Sequence, residues 1–439
     1  MRIKSITLQN IRLFGQEAQT LSFDENKPVT VILGNNGCGK STMLDAASIM
    51  LSTFTGSFPG NAEKNFNDWD VHIQHSDVIA NHLVCKANIS AEKEYEISRY
   101  RKGFGKAPAS NLKAFKEYAE TLQKQIVEGS KAIELPVLAY YGTNRAYLQT
   151  PARRTYSKKL YRRWDCYNSS LDSSTEFRRF FSWFDNKEDE ERREKEERKD
   201  FDYRDPVLES VRKAIRDLLK GRYANPRIDI HPLRFDLDQL DNQGQVDKTL
   251  RLEQFSDGYK IIIAMVADIA SRMAEGNPDM DEPLMTSGIV LIDEVDLHLH
   301  PKWQRTILKD LHRVFPNVQF IVTTHSPIIL LGAADIAQIV LLDGSHIIDD
   351  TNLDISRYDV SQILLTQLFG LESVYSPKYD EMFKRHEDLL LRYHTLTKEE
   401  QEELSKLDKQ MRDFSYSQSL DDIKINDLVK KMAKKLNIE

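Results

Sequence analysis

The sequence predicts an α/β fold with a parallel core sheet, and three observations support that prediction. Apolar strands alternate with helical stretches, an order typical of a parallel sheet covered by helices on both faces. A glycine-rich turn joins the apolar strand at residues 29–33 to a helix that begins near Ser41. A second apolar strand, at residues 288–292, ends in the carboxylates Asp293 and Glu294. Both strands therefore end in groups suited to a binding site.

The N-terminal part of the chain contains further strand signals. Residues 3–8 alternate polar and apolar side chains, and residues 81–100 alternate in two runs, which predicts a hairpin beside the first strands. Residues 109–132 have the spacing of an amphipathic helix. The apolar run at 136–141 predicts a buried strand, which ends at residues 142–145.

Residues 147–223 differ in amino-acid composition from the segments that are predicted to form the sheet. Aromatic residues come first and charges of both signs dominate residues 186–205, so we interpret the segment as an inserted helical arm or cap. Mixed-sign runs are more often solvated helix faces than partner sites. A more basic cluster, interleaved with aromatics, suits either nucleic-acid backbone or a protein interface. Its members are Arg153, Arg154, Tyr156, Lys158, Lys159, Tyr161, Arg162, Arg163 and Trp164.

Strand and helix signals alternate again in the C-terminal part. The strand at 288–292 is followed by a polar turn, a helix predicted at 303–314 and a strand predicted at 318–323. Beyond residue 350 the chain is highly charged, and its patterns predict helices, as at residues 398–412 and 423–436. This last region suits an interaction surface better than an active site.

Composition excludes several classes of protein. Of 439 residues, 40% are hydrophobic and 29% are charged, which describes a soluble protein with a sizeable core. The net charge of −7 lacks the basic footprint of a stand-alone DNA binder. Without a membrane-length apolar run or a signal-peptide pattern, we expect a cytoplasmic protein. The cysteines Cys38, Cys85 and Cys166 have neither disulfide nor zinc-ligand spacing.

Residues 34–41 fit the P-loop pattern, and their place between a strand and a helix supports the match. In a P-loop, backbone amides converge on the β-phosphate, the lysine (Lys40) reaches the β/γ oxygens and the serine hydroxyl (Ser41) is a ligand for Mg²⁺. We therefore predict ATP and Mg²⁺ as ligands. The predicted ATP-binding residues here are Asn35, Asn36, Gly37, Cys38, Gly39, Lys40, Ser41 and Thr42.

Two further strand ends supply candidate catalytic residues. Asp293 is suited to hold the metal and Glu294 to polarise an attacking water, the Walker B arrangement. His325 lies just past the predicted strand at 318–323, where it is suited to hydrogen-bond the γ-phosphate. The sequence therefore predicts Glu294 and His325 as catalytic residues and Asp293 as a metal ligand.

The order of these motifs resembles that of ABC-type ATPases of the RecF/SMC-like kind. Between the P-loop and the Walker B strand, residues 253–260 resemble the signature motif of that family, with Ser256 and Gly258 at its centre. The resemblance implies that Ser256 and Gly258 of one subunit contact the γ-phosphate held by the P-loop of another. It also implies self-association, as a dimer or a higher oligomer. Taken alone, Ser256 would be an ordinary helix cap.

The resemblance assigns two further loops. Asp296 stands in the D-loop position, so a subunit-contact loop is favoured over a metal site at His298 and His300. Gln74 is the candidate Q-loop glutamine, which would complete the Mg²⁺ shell or position water; the alternative is a surface residue.

The resemblance also implies the fold: an ABC-type P-loop ATPase head, with a parallel core sheet, an antiparallel β subdomain, an inserted helical region and a helical C-terminal region. We expect four segments along the chain. They are residues 1–146, the first half of the core; 147–225, the insertion; 226–350, the second half of the core; and 351–439, a helical interaction region.

Residues 135–145 and 177–184 make the whole chain similar to a bacterial AAA-domain group that includes anti-phage ATPase subunits. Its length resembles the PtuA family of Septu systems, which acts with a separate HNH nuclease, PtuB. The resemblance implies an ATP-hydrolysing regulatory subunit that controls such a nuclease through nucleotide-dependent assembly, and that reaches DNA through the complex. The resemblance is compatible with slow ATP hydrolysis.

Two other functions are compatible with parts of the motif order. The first is a DNA-repair or chromosome-handling ATPase of the RecF/SMC kind that acts without a nuclease. The second is a transporter's nucleotide-binding subunit, which the insertion and the helical C-terminal region disfavour. Residues 327–439 lack the strand-terminal glutamate and Asp-x-Asp of a TOPRIM nuclease domain, so we expect that the chain does not itself cut DNA.

Overall fold

A computed structural model describes residues 1–75, 78–131, 133–146, 162–173, 177–231, 233–348 and 353–412. The chain forms two compact units, residues 1–369 and residues 370–439. The helix predicted at 423–436 and residues 153–161 of the basic, aromatic cluster lie outside the described residues. None of the described helices combines the length and apolar character needed to cross a bilayer.

The described part of the chain contains runs of consecutive strands and single or paired helices between them. The strands are β1 (Arg2–Gln9), β2 (Gln19–Ser22), β3 (Val29–Gly34), β4 (Ile73–His75), β5 (Val78–Ile79), β6 (His82–Ser90), β7 (Glu94–Lys102), β8 (Val137–Tyr141), β9 (Tyr223–Ile230), β10 (Leu233–Leu240), β11 (Val246–Arg251), β12 (Gly288–Ile292), β13 (Val318–Thr323), β14 (Ala337–Asp343) and β15 (His346–Ile348). The helices are α1 (Lys40–Thr55), α2 (Lys113–Val127), α3 (Phe177–Arg198), α4 (Pro206–Leu218), α5 (Asp257–Gly276), α6 (Pro301–Gln304), α7 (Ile307–Val314), α8 (Pro327–Ala333), α9 (Val360–Leu365), α10 (Pro377–Leu391) and α11 (Lys398–Arg412).

The central sheet has the strand order β15-β14-β3-β13-β12-β8. Neighbours from β14 to β8 pair in parallel, and β15 adds an antiparallel edge. Every residue of β8, β12 and β13 is buried, as expected for strands that are covered on both faces. The predicted parallel core is therefore confirmed. Because β8, β12 and β13 run in register, the residues that follow them meet at one edge of the sheet.

An antiparallel sheet of order β2-β1-β6-β7 lies beside this core. The hairpin predicted at residues 81–100 is confirmed as β6 and β7, which pair from His82 with Lys102 to Ser90 with Glu94. Its apolar side chains pack against α1 and α2 in the same buried cluster. The predicted antiparallel β subdomain is thus present.

A second antiparallel sheet, β11-β10-β9, was not predicted from the sequence. The signal was available, because apolar residues alternate with polar ones through this segment. Ile228, Phe235 and Leu237 all face the core and are buried. The sheet precedes α5 and packs against the helices α3 and α4. The Phe184 ring of α3 meets the Phe235 ring of β10 edge to face.

Two predicted helices have different bounds in the structure. The helix predicted at 109–132 is the shorter α2, because Asn111 forms two backbone hydrogen bonds with Ser98 of β7 and so belongs to the strand side. The helix predicted at 303–314 is split into α6 and α7. Between them Arg305 lies against Gly332, where a Cβ would come within 2.1 Å of the Arg305 carbonyl oxygen. This close packing accompanies the break.

The C-terminal unit is described by itself as a pair of helices. α10 and α11 pack through Leu389, Leu396 and Leu404, all buried. Ion pairs such as Arg385 with Glu403 join the two helices at their exposed faces. The helical character predicted for this end of the chain is confirmed for residues 377–391 and 398–412.

Candidate active site

The P-loop forms the turn between β3 and α1 and depends on glycine at its end. Gly39 has φ of 103° and stands at the N-terminus of α1. A Cβ at this position would lie 2.8 Å from the ring of Phe14, so another side chain has neither the backbone conformation nor the space. The loop amides are thereby held close to the helix N-terminus, which favours an anion.

Lys40 is buried and folded over its own loop. Its Nζ donates to the carbonyl oxygens of Gly34 at 2.8 Å and Asn35 at 3.0 Å. The Cys38 thiol is also buried, with Sγ 3.9 Å from Nζ of Lys40. The loop therefore holds an ammonium group in place by neutral carbonyls, which leaves its positive charge available to phosphate oxygens.

Ser41 and Asp293 meet at the head of the loop. The Ser41 hydroxyl donates to Oδ2 of Asp293 at 2.8 Å. The Thr323 hydroxyl donates to Oδ1 of the same carboxylate at 2.5 Å, and the Asp293 amide donates to the carbonyl of Tyr141 at 2.8 Å. A hydroxyl beside a fixed carboxylate is the oxygen donor set that Mg²⁺ takes in nucleotide sites, so these residues fit the ion.

Thr323 also positions Glu294, a role that sequence reasoning missed. The Glu294 amide donates to the Thr323 hydroxyl oxygen at 2.7 Å. Glu294 itself has φ of 48°, an uncommon conformation for a non-glycine residue. A single threonine at the end of β13 therefore fixes both carboxylate residues at the end of β12. A polar residue closing a buried strand was the signal in the sequence.

One cavity of about 350 Å³ collects most of the predicted residues. It is lined by Leu13, Asn36, Gly37, Gly39, Lys40, Ser41, Thr42, Asp293, Glu294 and His325. Asn35 contributes its carbonyl to Lys40 from behind, and Cys38 fills buried space. Phosphate-binding, metal-binding and catalytic candidates from three strand ends therefore share one opening.

The signature residues do not line this cavity. Ser256 is the N-cap of α5, but its side chain makes no capping hydrogen bond and is exposed. Gly258 packs against the loop after Walker B, where a Cβ would lie 2.7 Å from the carbonyl oxygen of His298. The exposed hydroxyl and the helix N-terminus are groups suited to an anion, and they lie outside the lining of the cavity.

Gln74 does not line the cavity either. It belongs to β4, which among the described strands pairs with the short strand β5, and its side chain is half-buried. Among the predicted metal ligands, the structure thus brings together Ser41 and Asp293 and does not bring Gln74 to them.

The loop that follows Walker B is ordered by its own hydrogen bonds. Asp296 accepts a hydrogen bond from the Thr324 hydroxyl. His300 caps α6, since its Nδ1 accepts from the Lys302 amide at 3.2 Å. Within the part of the chain that the structure describes, no group of three His, Cys, Asp or Glu residues is placed to hold a metal ion.

A protein-family model matches residues 29–331, a span that runs from the strand before the P-loop to the helix after His325. Its description reads "AAA domain, putative AbiEii toxin, Type IV TA system". The match covers more than half of the chain and includes every motif of the cavity. The chain belongs to this family of AAA-domain ATPases.

Three relatives of this family member extend the similarity. The retron Vc95 probable ATPase of Vibrio cholerae is 30% identical over 372 residues, covering 75% of this chain and 71% of the relative. The retron Ec83 probable ATPase of Escherichia coli is 28% identical over 389 residues, covering 74% and 69%. Septu protein PtuA of Bacillus mycoides is 34% identical over 185 residues, covering 41% of this chain and 25% of that protein.

Solved structures of SMC heads are also similar. The SMC head bound to the C-winged helix domain of ScpA has a TM-score of 0.45 and 14% identity, covering 79% of this chain and 97% of that chain. The SMC head domain from Thermotoga maritima has a TM-score of 0.44 and 17% identity, covering 80% and 99%.

In this ATPase, a buried ion network supports the signature helix α5. The fully buried Asp268 accepts from Arg272 at 2.7 Å, from the Tyr141 hydroxyl at 2.8 Å and from Arg179 at 3.4 Å. Burial alone would raise the pKa of Asp268, but the two guanidinium groups lower it below its usual range. The pKa of Tyr141 rises because burial and the Asp268 charge both disfavour the phenolate.

The network joins α5 to two other parts of the chain. Arg179 belongs to α3, within the inserted region, and it also pairs with Glu275. Arg272 donates to the carbonyl oxygens of Cys166 at 2.6 Å and Asn168 at 3.1 Å. Tyr141 is the last residue of β8, and its carbonyl oxygen accepts a hydrogen bond from the Asp293 amide. The helix that begins at the signature is therefore tied to both the insertion and the carboxylate strand.

Proposed function

We propose that the chain binds ATP with Mg²⁺ in the cavity between β3, β12 and β13 and hydrolyses it. The observation that carries this proposal is the 2.8 Å hydrogen bond between Ser41 and Asp293, next to the buried Lys40. A hydroxyl, a carboxylate and an ammonium group at one loop suit a metal-bound triphosphate.

Each residue has a separate task in this mechanism. Lys40 exchanges its bonds to the Gly34 and Asn35 carbonyls for bonds to β/γ-phosphate oxygens. Ser41 and Asp293 hold Mg²⁺, which, when bound, neutralises charge on the phosphates. Glu294, positioned by Thr323, orients the attacking water and accepts its proton, while His325 donates a hydrogen bond to the γ-phosphate.

The signature surface of one chain completes the site of another. Ser256 and Gly258 lie outside the cavity, yet the Ser256 hydroxyl is exposed at a helix N-terminus and is suited to a phosphate. ATP would then join two chains head to tail, with Lys40, Ser41 and Asp293 from one chain and Ser256 and Gly258 from the other. Nucleotide binding and self-association would thus be coupled.

The biological role that we propose is a regulatory subunit of a cytoplasmic anti-phage complex. Support comes from the similarity to a Septu protein PtuA and to two retron ATPases. In Septu systems PtuA acts with the HNH nuclease PtuB, so the partner proposed here is a PtuB-like nuclease, and DNA is reached through it. The alternative is a RecF/SMC-like ATPase that handles DNA without a nuclease.

The chemical proposal is tested by phosphate release from ATP by the purified chain, with and without EDTA. Lys40→Ala is the matched variant, because it removes the ammonium group but leaves the loop glycines. We expect turnover that requires Mg²⁺ and falls at least about hundredfold in the variant. Turnover that survives both treatments would mean that this cavity is not the ATPase site.

The biological proposal is tested by purifying the chain with the product of its neighbouring gene and measuring plasmid cleavage. Cutting that depends on nucleotide and changes in the Lys40→Ala complex supports a nuclease partner under ATP control. A pair that does not associate and does not cut would favour the stand-alone DNA-handling ATPase.

A further inference from the structure

The nucleotide cavity has one apolar wall, which none of the chemistry above uses. Of the described residues that line the cavity, Leu13 alone carries a large apolar side chain, and it is 50% exposed. Lysine, serine and the two carboxylates define the end suited to phosphates and metal. An apolar wall suits the opposite end of a nucleotide, its base.

The loop that carries Leu13 is joined to a second segment by paired backbone hydrogen bonds. The Arg12 amide donates to the Asp70 carbonyl at 2.8 Å, and the His72 amide donates to the Asn10 carbonyl at 3.0 Å. Leu13 and Trp69 therefore each stand one residue beyond the same bonded pair, Arg12 and Asp70. These backbone bonds bring the segment that carries Trp69 to the loop that carries Leu13, although Trp69 itself does not line the cavity.

Side chains hold this pair rigidly to the P-loop helix. Nε of Arg12 donates to Asp70 at 2.8 Å, and Nη1 of Arg12 donates to Asp45 of α1 at 2.7 Å. Asp70 is buried, so the turn that carries Trp69 is anchored even though the indole is exposed. An anchored backbone under an exposed ring is a preorganised surface for a flat ligand.

Trp69 is unusually exposed for its size. Its side chain is 77% exposed, whereas Trp164 and Trp183 are buried. Trp303 is half-buried, and its ring meets that of Tyr259 edge to face. The large Trp69 ring, one residue from the segment bonded to the Leu13 loop, is therefore accessible to a ligand.

We propose that Trp69 stacks on the base of the bound nucleotide, with Leu13 packing against the base edge. The inference rests on the proposed function, because it needs phosphates at Lys40 and Ser41. Phosphate contacts then supply the charge-dependent part of binding, and the Trp69 ring supplies a base-dependent part. A base has a flat π surface that an indole ring matches.

The exposed Trp69 ring also fits a second role, as part of a protein-docking surface, and the experiment distinguishes the two roles. Trp69 is one of several exposed apolar residues of the β subdomain, with Ile73, Val78, Ile79 and Phe104. If this set were a protein-docking surface, nucleotide would leave Trp69 unaffected. The distinguishing ligands are ATP and inorganic tripolyphosphate, which share the phosphates and differ in the base.

The test uses the full chain, with affinities for ATP and tripolyphosphate measured by calorimetry in Mg²⁺. Trp69→Ala should weaken ATP binding about tenfold, the size of one lost base stack, and leave tripolyphosphate binding unchanged. Trp69→Phe should restore most of the ATP affinity. Phe104→Ala is the control, since it removes another exposed aromatic ring of the same subdomain.

Tryptophan emission provides a second readout. ATP should quench the emission of the wild-type chain, tripolyphosphate should not, and the quench should be lost in Trp69→Phe. Equal ATP affinity in Trp69→Ala, with emission unaffected by ATP, would overturn the stacking role and leave the proposed function standing. ATP that fails to bind, or that binds equally well to Lys40→Ala, would overturn both.

Discussion

The P-loop side and the signature side of this chain are built in opposite ways. At the P-loop, Lys40 and Asp293 are buried, and hydrogen bonds from Ser41 and Thr323 already fix the carboxylate. At the signature, Ser256 is exposed, and its hydroxyl makes no capping hydrogen bond. One side has its groups in place before any ligand arrives, whereas the other presents its groups to the outside.

The preorganised side is suited to bind nucleotide within a single chain. Preorganised groups bind without reordering cost, so the P-loop side should take ATP by itself. Ser256 and Gly258 do not line the P-loop cavity, and in the proposed mechanism they contribute when another chain supplies the phosphate. Variants of the two sides should therefore separate binding from turnover.

The largest effect is expected on the P-loop side, from Glu294→Gln. The amide keeps the size of the side chain but cannot accept the proton of the attacking water, so turnover should fall about 10²- to 10⁴-fold. ATP affinity should stay near that of the wild type. Steady-state phosphate release and equilibrium ATP binding measure the two quantities, and unchanged turnover would remove Glu294 from its role as base.

A comparable effect, on stability rather than turnover, is expected beneath the signature. Asp268→Asn leaves Arg272 and Arg179 without their shared buried counter-charge, which should lower the free energy of unfolding by about 3–5 kcal/mol. Asp257→Asn is the control on the same helix, because its pair with Lys260 is exposed and is worth below about 1 kcal/mol. Denaturant melts of both variants test this, and equal losses would contradict it.

The pH dependence of that stability has a definite sign. The folded-state pKa of Asp268 lies below its unfolded-state pKa, which is about 3.9. The contribution of Asp268 to the free energy of unfolding is therefore complete above the unfolded-state pKa. It is lost as the pH falls through the folded-state pKa. The wild type and Asp268→Asn should therefore converge in stability toward acid, and a constant difference between them would count against the network.

A smaller effect on turnover, about hundredfold, is expected from Ser256→Arg. The residue is exposed, so the fold and the ATP affinity of the single chain should persist, while ATP-dependent association is lost. Mixing this variant with Lys40→Ala sharpens the test, because each chain supplies what the other lacks. Turnover that partly recovers in the mixture supports a head-to-tail site, and a mixture as inactive as its parts speaks against one.

The smallest effect is expected from Thr323→Val, which keeps the shape but removes the hydroxyl between Asp293 and Glu294. Losing this positioning should lower turnover about tenfold, equal to about 1.4 kcal/mol. Thr323→Ser, which retains the hydroxyl, should restore most of the activity. If valine and serine variants behave alike, the hydroxyl does not position the carboxylates.

Much of the fold was predictable because its signals are local. The parallel strands read as continuous apolar runs, and the P-loop combines a strand, a glycine turn and a helix in consecutive residues. Helix bounds were less predictable, since tertiary contacts set them: Asn111 pairs with β7, and Gly332 packs against Arg305. The sheet of β9 to β11 was overlooked, although its apolar and polar residues alternate.

The candidate site also contains residues that local patterns predict and residues that only tertiary contacts reveal. Residues of the P-loop and of the strand end at Asp293 follow from short patterns, and the structure collects them around one cavity. Leu13 lines that cavity and Thr323 bonds to two residues that line it, through contacts between distant segments that no local spacing reveals. Gln74 was assigned from chain order alone, and the fold places it in a separate hairpin. The roles of all these residues in ATP hydrolysis stay predictions.

The contact between Gly258 and His298 has a mechanical consequence. No side chain fits between the start of α5 and the loop after Walker B, so the two cannot slide past each other without a backbone clash. In the proposed mechanism, a displacement of the carboxylates on phosphate release would be transmitted through this contact to the surface proposed to face a second chain. The absence of a side chain at Gly258 would then couple ATP cleavage to the association of two chains.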